Sequence, residues 1–402
     1  MASTFKAFTN SDLTNTRSLM HEAIPIPGTL LSGSYGTLET VTGSEPHIKT
    51  YSHGMFQSVY DYPHVSSSAN HLFDITFGFR TGSMSNAGVY TDGNSLVGVQ
   101  GEKKLNVYNQ LSQILVGYDV NGNIRKFDKD GSFTQAATDR SDKIADVVAM
   151  CFSRLLVKDE IKKGSFSLTL GVKRDLNSAF TAKIKITDDN ASNDFRSNSP
   201  AGEYGFLKAQ DVTVGAIDSS VPAADRTVGL IYYQAGIVVL DYTKIFSKKG
   251  TPSAGGFSRD KDGILAEGVS GIGSEGTSVF MTATPAHTTT VARMVDNGTI
   301  DKACSAFRSR IESLSFNNTT ELNSTVYFCR MNHNEFNYSS NPTYLTGSQI
   351  RIKEQKSDMP RSYVTTIGLY SADNELMATA KLSEPLRKDP TNELFLRVRL
   401  DY

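Results

Sequence analysis

The sequence predicts an α+β protein built predominantly from antiparallel β-structure with a few helices, and three observations carry that reading. Residues 394–401 alternate Leu394, Leu396, Val398 and Leu400 with Phe395, Arg397, Arg399 and Asp401. That period of two marks a half-buried strand, here a C-terminal strand ending at the chain terminus. Short apolar runs at 166–172, 182–187 and 228–240 are separated by Gly, Ser and Asp loops, which fits hairpin-connected strands. Helical periodicity is confined to a few segments, so helices decorate the sheet and do not dominate it.

Taken in order, residues 1–50 are rich in Ser, Thr, Asn and Gly and are broken at Pro25 and Pro27, which predicts an extended N-terminal arm. Residues 51–164 form a mixed α/β region. Within it Leu105, Tyr108, Leu111, Ile114 and Leu115 recur at three- and four-residue spacing, so 103–115 reads as a helix with that stripe inward. Residues 144–161 lack Gly and Pro, and Val148, Phe152, Leu155 and Leu156 share a helical face, so a second helix is expected there. Asn121-Gly122 between Tyr118 and Ile124 predicts a type I′ hairpin turn. Residues 165–300 read as an antiparallel β domain. Residues 301–402 read as a bridging helix over 301–314, with Phe307, Ile311 and Leu314 on one side, followed by a C-terminal β-meander. In that meander Tyr363, Ile367 and Leu369 share a face, as do Leu376, Ala378, Ala380 and Leu382, with 371–375 as the hairpin loop. Burying the leucine and valine face of 394–400 contributes roughly 1.5 to 3 kcal/mol per side chain before ordering entropy, so the C-terminus is expected to be core.

Composition narrows function. Lys and Arg total 41 against 42 Asp and Glu, a net charge of -1, and the pairs Lys162-Lys163 and Lys248-Lys249 lie beside glycines as solvated loop ends. No nucleic-acid partner is expected. The N-terminal residues 1–23 contain no apolar signal region and nowhere do eighteen apolar residues run together, so neither export nor a membrane span is expected. Cys151, Cys304 and Cys329 are odd in number and widely spaced, which favours free thiols.

Several segments resemble chemical motifs and fail on context. GIGSEG (271–276) has dinucleotide-type glycine spacing, with Asp296 twenty residues on, but the following TSVFMT is strand-like where a helix is required. Asp119-Val-Asn-Gly-Asn123 and Asp128-Lys-Asp-Gly131 place oxygen donors around a glycine without the closing Glu of a calcium loop, and tight turns explain both. His47, His53, His64 and His71 cluster in sequence with Asp61 and Asp74, yet their gaps are too long for paired metal ligands and no nucleophile elbow accompanies them. Neither a catalytic role, nor a cofactor, nor a bound metal is expected. The stretch 51–62 combines Met, aromatics and few charges in a chain with 17 Tyr and no Trp. That is the composition of buried interface centres and nominates Tyr51, Met55, Phe56, Tyr60 and Tyr62 as an interaction surface.

A resemblance extends this reading. FNYSSNPTY (336–344) followed by YVTTIGLYSADNELMATAKLSEPLRKD (363–389) resembles a block in structural virion proteins of contractile-tailed, T-even-like phages infecting marine cyanobacteria. YSHGMFQSVYDYP (51–63), SSANHLFDITFG (67–78), SRLLVKDEIKKGSF (153–166), NSPAGEYG (198–205) and GLIYYQAGIVVL (229–240) have the same character. The resemblance implies a component of the tail or baseplate, a baseplate wedge subunit in particular. It would be located in the virion, would form homo- or hetero-oligomers with other phage tail and baseplate proteins, and would act through multivalent contacts. It carries no catalytic signature. Two other classes are a receptor- or glycan-binding tail protein using Tyr60 and Tyr62, and a cell-wall hydrolase, which requires Asp61 and Asp74 to converge.

Overall fold

The computed structural model describes residues 5–32, 46–80, 96–133, 143–172, 180, 182–247, 249, 263–266, 299–339, 341–347, 349–351, 353, 355 and 357–402. The glycine-rich segment 271–276, the TSVFMT run and Asp296 lie outside them. In chain order the elements are β1 (Leu13–Pro27), α1 (Gly28–Ser32), β2 (Ile48–Thr50), β3 (Gln57–Tyr60), β4 (His71–Phe79), α2 (Leu96–Leu115), β5 (Asp146–Phe152), α3 (Arg154–Val157), β6 (Glu160–Ile161), β7 (Ser167–Gly171), β8 (Lys183–Thr187), β9 (Phe195–Ser199) and β10 (Gly202–Asp211). There follow β11 (Thr227–Tyr232), β12 (Ile237–Asp241), α4 (Tyr242–Phe246), α5 (Ile300–Arg308), β13 (Ile311–Met331), β14 (Leu345–Thr346), β15 (Gln349–Ile350), β16 (Ser362–Tyr370), β17 (Leu376–Lys388) and β18 (Leu394–Asp401). The fold is α+β and mostly antiparallel strand, as the periodicity predicts.

The chain divides into two units, Met1–Met20 with Glu321–Tyr402, and His21–Thr320, rather than into four consecutive segments. The sequence-based boundaries miss this because β1 and β13 each contribute to both units, and nothing in local composition marks a crossing inside a regular strand.

In the larger unit the strands pair antiparallel in the order β13, β7, β8, β10, β11, β12, β5, β4, β3, β2. The sheet curls until β5 and β13 face each other across its interior. β5 and β13 are six ladder steps apart, which at ~4.8 Å per step would separate them by about 29 Å in a flat sheet. Yet the rings of Phe152 and Phe316 meet with centroids 4.8 Å apart, and Phe166 lies 6.5 Å from the same Phe152 ring. The inner face carries Phe73, Ile75, Phe77, Val148, Met150, Leu168, Ile184 and Leu240, all fully buried.

Helix α5 fills part of that interior. Thr299 caps it by accepting from the Lys302 N–H at 3.3 Å, and its apolar face presents Ala303, Cys304 and Phe307, each buried. Gln57 Nε2 donates to Ser305 Oγ at 3.0 Å and the Cys304 thiol to the Ile75 carbonyl at 3.5 Å, which fixes the helix against β3 and β4. The helix is therefore a core element of the larger unit and not a bridge. It also ends at Arg308, earlier than the spacing suggests. Ile311 and Leu314 belong to β13, paired with Leu170 and Leu168 of β7, because i and i+3 apolar residues also fall inward on a strand that bulges between them.

The helix expected over 144–161 is a correction of the same kind. Residues 146–152 form β5, flanked on both edges by β4 and β12, and its side chains are buried on both faces except for a half-buried Cys151. A strand buried on both sides reads as a continuous apolar run, and its Val content then decides against helix. Only the single turn α3 follows, with Leu155 81 % exposed.

Helix α2 forms as expected, packing Tyr108 and Leu115 inward, while Ile114 turns out to solvent. Its approach to β4 depends on Gly78: a Cβ there would sit 2.7 Å from the Lys104 carbonyl oxygen and 2.9 Å from the Tyr108 nitrogen. The following hairpin forms between Tyr118 and Ile124, but only Gly122 takes positive φ. The turn is held by the Asp119 carboxylate, which accepts the Asn121 and Asn123 N–H groups at 2.9 and 2.8 Å, rather than by a type I′ geometry.

In the smaller unit β18 pairs with residues 324–331 of β13 and not with β17, so the three C-terminal strands are a hairpin plus a separate strand and not a meander. The Thr325, Tyr327, Cys329 and Met331 row offers Leu400, Val398, Leu396 and Leu394 a matching face, which the link through Pro385 and Pro390 leaves them free to reach. Val398 is buried there and its three leucine neighbours are half-buried.

Candidate functional site

The stretch 51–62 lies at the end of the larger unit's sheet, where β2 is the last strand. Alternation along β3 turns Gln57 and Val59 inward and leaves Ser58 and Tyr60 on the opposite face. Cross-strand register then places Lys49, Ser58, Asp74 and Cys151 in one transverse row.

Asp74 organises this row. Its Oδ1 accepts from Ser58 Oγ at 2.5 Å and pairs with His71 Nε2 at 2.8 Å. The register shift between Val59 and Tyr60 is the reason the imidazole arrives there, since a bulge re-aims the side chain next to it. Tyr51 Oη lies 3.2 Å from Ser58 Oγ and extends the chain of polar contacts. Burial of Cys151, with the Asp74 charge beside it, pushes its thiol up to about 12.

Around the row stand two aromatic groups. Tyr51 stacks on His53 with centroids 5.1 Å apart and 7° between planes, Phe56 lies 4.8 Å from Tyr51, and the Lys49 ammonium sits 5.1 Å over the Tyr51 ring. Tyr60 packs against His71 at 5.5 Å and His64 at 6.5 Å. Burial first, and then Tyr51 nearby, raise the Tyr60 hydroxyl above its ordinary value. The 51–56 loop is fixed from behind. Gly54 takes φ +63 with Asp301 Oδ2 only 3.1 Å from where a Cβ would stand, Lys103 donates to the His53 carbonyl at 2.9 Å, and Thr76 donates to the Met55 carbonyl at 2.7 Å.

Of the five nominated residues, Tyr51, Phe56 and Tyr60 join this half-buried strip, Met55 packs against the core, and Tyr62 stands out at 57 % exposure. The histidines do not act as a set: His71 serves Asp74, His64 Nδ1 faces the Pro46 carbonyl at 2.9 Å, and His53 Nδ1 accepts from the Met55 N–H at 3.0 Å. Among the described residues no three His, Cys, Asp or Glu side chains gather as metal ligands would.

Asp61 and Asp74 also have separate employment. Burial pulls Asp61 up, but hydrogen bonds from Asn70 and Tyr62 outweigh it and leave the carboxyl below its ordinary value. In the Ser58–Asp74–His71 arrangement the carboxylate is in the middle. His71 holds Asp74 instead of facing the hydroxyl, so the imidazole is not placed to take the Ser58 proton as a triad base does. The geometry orients side chains along a surface strip. Ser58 and Lys49 escape sequence reasoning because their place in the row comes from pairing register; only the outward phase of Ser58 within QSVY hints at it.

No family model, no curated protein and no solved structure matches this chain.

Proposed function

We propose that this chain is a structural component of a phage virion, a tail or baseplate subunit that works through protein–protein contacts. The resemblance of its 336–344 and 363–389 segments to tailed-phage virion proteins supplies the particle. One structural observation supports the mode of action: residues 13–20 run as regular strand in β1 with every side chain exposed, inward and outward phases alike. Ordering a strand costs about 1–2 kcal/mol per residue in backbone entropy. Its ladder with β13, the hydrogen bond from Thr325 to Asn15 and the Arg17–Glu321 pair recover part of that within its own unit, but no layer covers either face. An arm laid against neighbouring subunits recovers the rest there, and many such contacts together stabilise a particle far beyond any single one. The 51–62 strip adds a second surface of aromatic side chains, with Tyr62 standing out from it.

The test is localisation. Gold-labelled antibody against the chain is expected to decorate the tail or baseplate of intact particles from the phage that encodes it. Particles without label, in a lysate where the chain is abundant and soluble, overturn the proposal. Substituting Tyr62→Glu within the chain then reads the contact itself, as loss of incorporation with the fold unchanged by circular dichroism.

A further inference from the structure

The β16–β17 hairpin has two unlike edges. Strand β17 carries Lys381, Glu384, Pro385, Arg387 and Lys388, and its register with β16 breaks after Val364, where residues 382–385 loop out of the ladder. Charges, a proline and a bulge are the devices by which proteins keep an edge strand from accepting another. Strand β16, SYVTTIGLY, has none of them: nine consecutive residues without a charge or a proline, rich in β-branched and aromatic side chains. Among the described residues it pairs with β17 alone and no other strand lies on its outer edge, although the Tyr344 hydroxyl reaches the Tyr363 backbone and the Phe5 ring packs 5.0 Å from that of Tyr370 at its two ends. Tyr363 and Tyr370 are 43 % and 47 % exposed along it, and Thr365 and Thr366 are exposed on opposite faces.

We infer that the outer edge of β16 pairs antiparallel with β16 of a second copy of this chain, around a two-fold axis at Thr366. Three observations select that occupant. A two-stranded sheet is marginal by itself and becomes secure at three strands or more, and two copies give four. Charges along an edge disfavour pairing, and the other long exposed strands carry them: β1 has Arg17 and Glu22, β18 has Arg397, Arg399 and Asp401, and β17 is guarded. Finally, the strand is self-complementary in full overlap. Residues 362–370 centred on Thr366 place Thr366 against itself, Thr365 against Ile367, Val364 against Gly368, Tyr363 against Leu369 and Ser362 against Tyr370. These are same-parity pairs on the same face, as a two-fold perpendicular to the sheet requires, and Thr–Thr and aromatic–aliphatic pairs are the favourable cross-strand kinds. The inference rests on the hairpin alone and does not need the virion assignment.

The full chain is tested by sedimentation. Wild-type protein is expected to be dimeric at micromolar concentration. Thr366→Lys, at an exposed position, sets two ammonium groups against each other on the axis and is expected to weaken dimerisation by about a hundredfold or more. Thr366→Glu should do the same by itself, and mixing the two variants should restore a dimer, because the axis pairs this residue with its own copy. Thr379→Lys, exposed on the guarded strand, should leave the wild-type dimer intact, and circular dichroism of each variant checks the fold. A wild-type chain that stays monomeric overturns the inference. So does a Thr366→Lys dimer as strong as wild type, or a Lys and Glu mixture that fails to reassociate.

Discussion

The curling of the larger sheet makes a quantitative claim about two phenylalanines. Phe316 of β13 is 1 % exposed and Phe152 of β5 is 7 % exposed, with their rings 4.8 Å apart and tilted by 53°. Replacing Phe316 with Ala removes a buried ring and is expected to cost about 3–5 kcal/mol, as Phe→Ala substitutions in packed cores do. That figure alone reports burial. The contact between the strands is isolated by a double-mutant cycle on Phe316→Leu and Phe152→Leu, which keeps most of the apolar volume and removes the ring pair. An aromatic pair in contact is worth about 0.5–1.5 kcal/mol beyond its area, so the double variant should be more stable than the sum of the single losses predicts by about that amount. In an open sheet the two positions would be about 29 Å apart, and their effects would add within about 0.3–0.5 kcal/mol. Urea unfolding followed by far-ultraviolet circular dichroism is the suitable assay, since the chain has no Trp to report by fluorescence. Strict additivity refutes the contact across the curled sheet.

Gly78→Ala should destabilise the larger unit by about 1–3 kcal/mol in the same assay, because the added methyl meets the backbone of α2 and not a side chain that could swing away. Acid should loosen the smaller unit. Hydrogen bonds from Thr9 and then Arg330 hold Asp12 down to about 2 from an ordinary 3.8, and those from Thr391 and then Arg387 do the same for Asp389. Both carboxyls hold protons more weakly when folded, so their stabilisation is complete above the ordinary value and is lost as pH falls from about 4 toward 2. The protection factors of the 394–401 amides, taken relative to intrinsic exchange at each pH, should fall over that window in wild type and lose the dependence in Asp12→Asn with Asp389→Asn. The three thiols should react slowly with a disulfide reagent at about pH 8 and rapidly in denaturant, because burial raises Cys151, Cys304 and Cys329 and suppresses the thiolate. Fast native labelling of Cys151 would contradict its place in the Asp74 row.

Elements whose two faces differ were legible in advance. The helix ending at Leu115, the strands at 166–172 and 182–187, and the three C-terminal strands show one more buried and one wetter side, while the run 228–240, buried on both faces, was legible by its β-branched content and bounding Gly and Asp residues. The hairpin loop 371–375 was legible from local turn chemistry: Asn374 takes φ +63 and Ser371 Oγ accepts from the Asp373 and Glu375 N–H groups, which the residue types announce. Strand β5 was not legible because burial on both faces erases the period, and β13 was misread at its start because a bulge mimics helical spacing. At the candidate site the aromatic content of 51–62 was legible from residue types alone, whereas the Ser58–Asp74–His71 contacts depend on a cross-strand register and a bulge.

Side-chain pattern and turn residues act over a few positions, and they were enough to set the mostly antiparallel α+β character, most of the strands and the aromatic strip between 51 and 62. Partnership was decided elsewhere. That β18 joins β13 and leaves the hairpin alone, that α5 enters the core, and that Phe152 meets Phe316 all follow from contacts between residues far apart in the chain. Such contacts compete with many near-equivalent pairings of the same local pattern, and only the packing of the whole unit makes one of them the lowest in free energy.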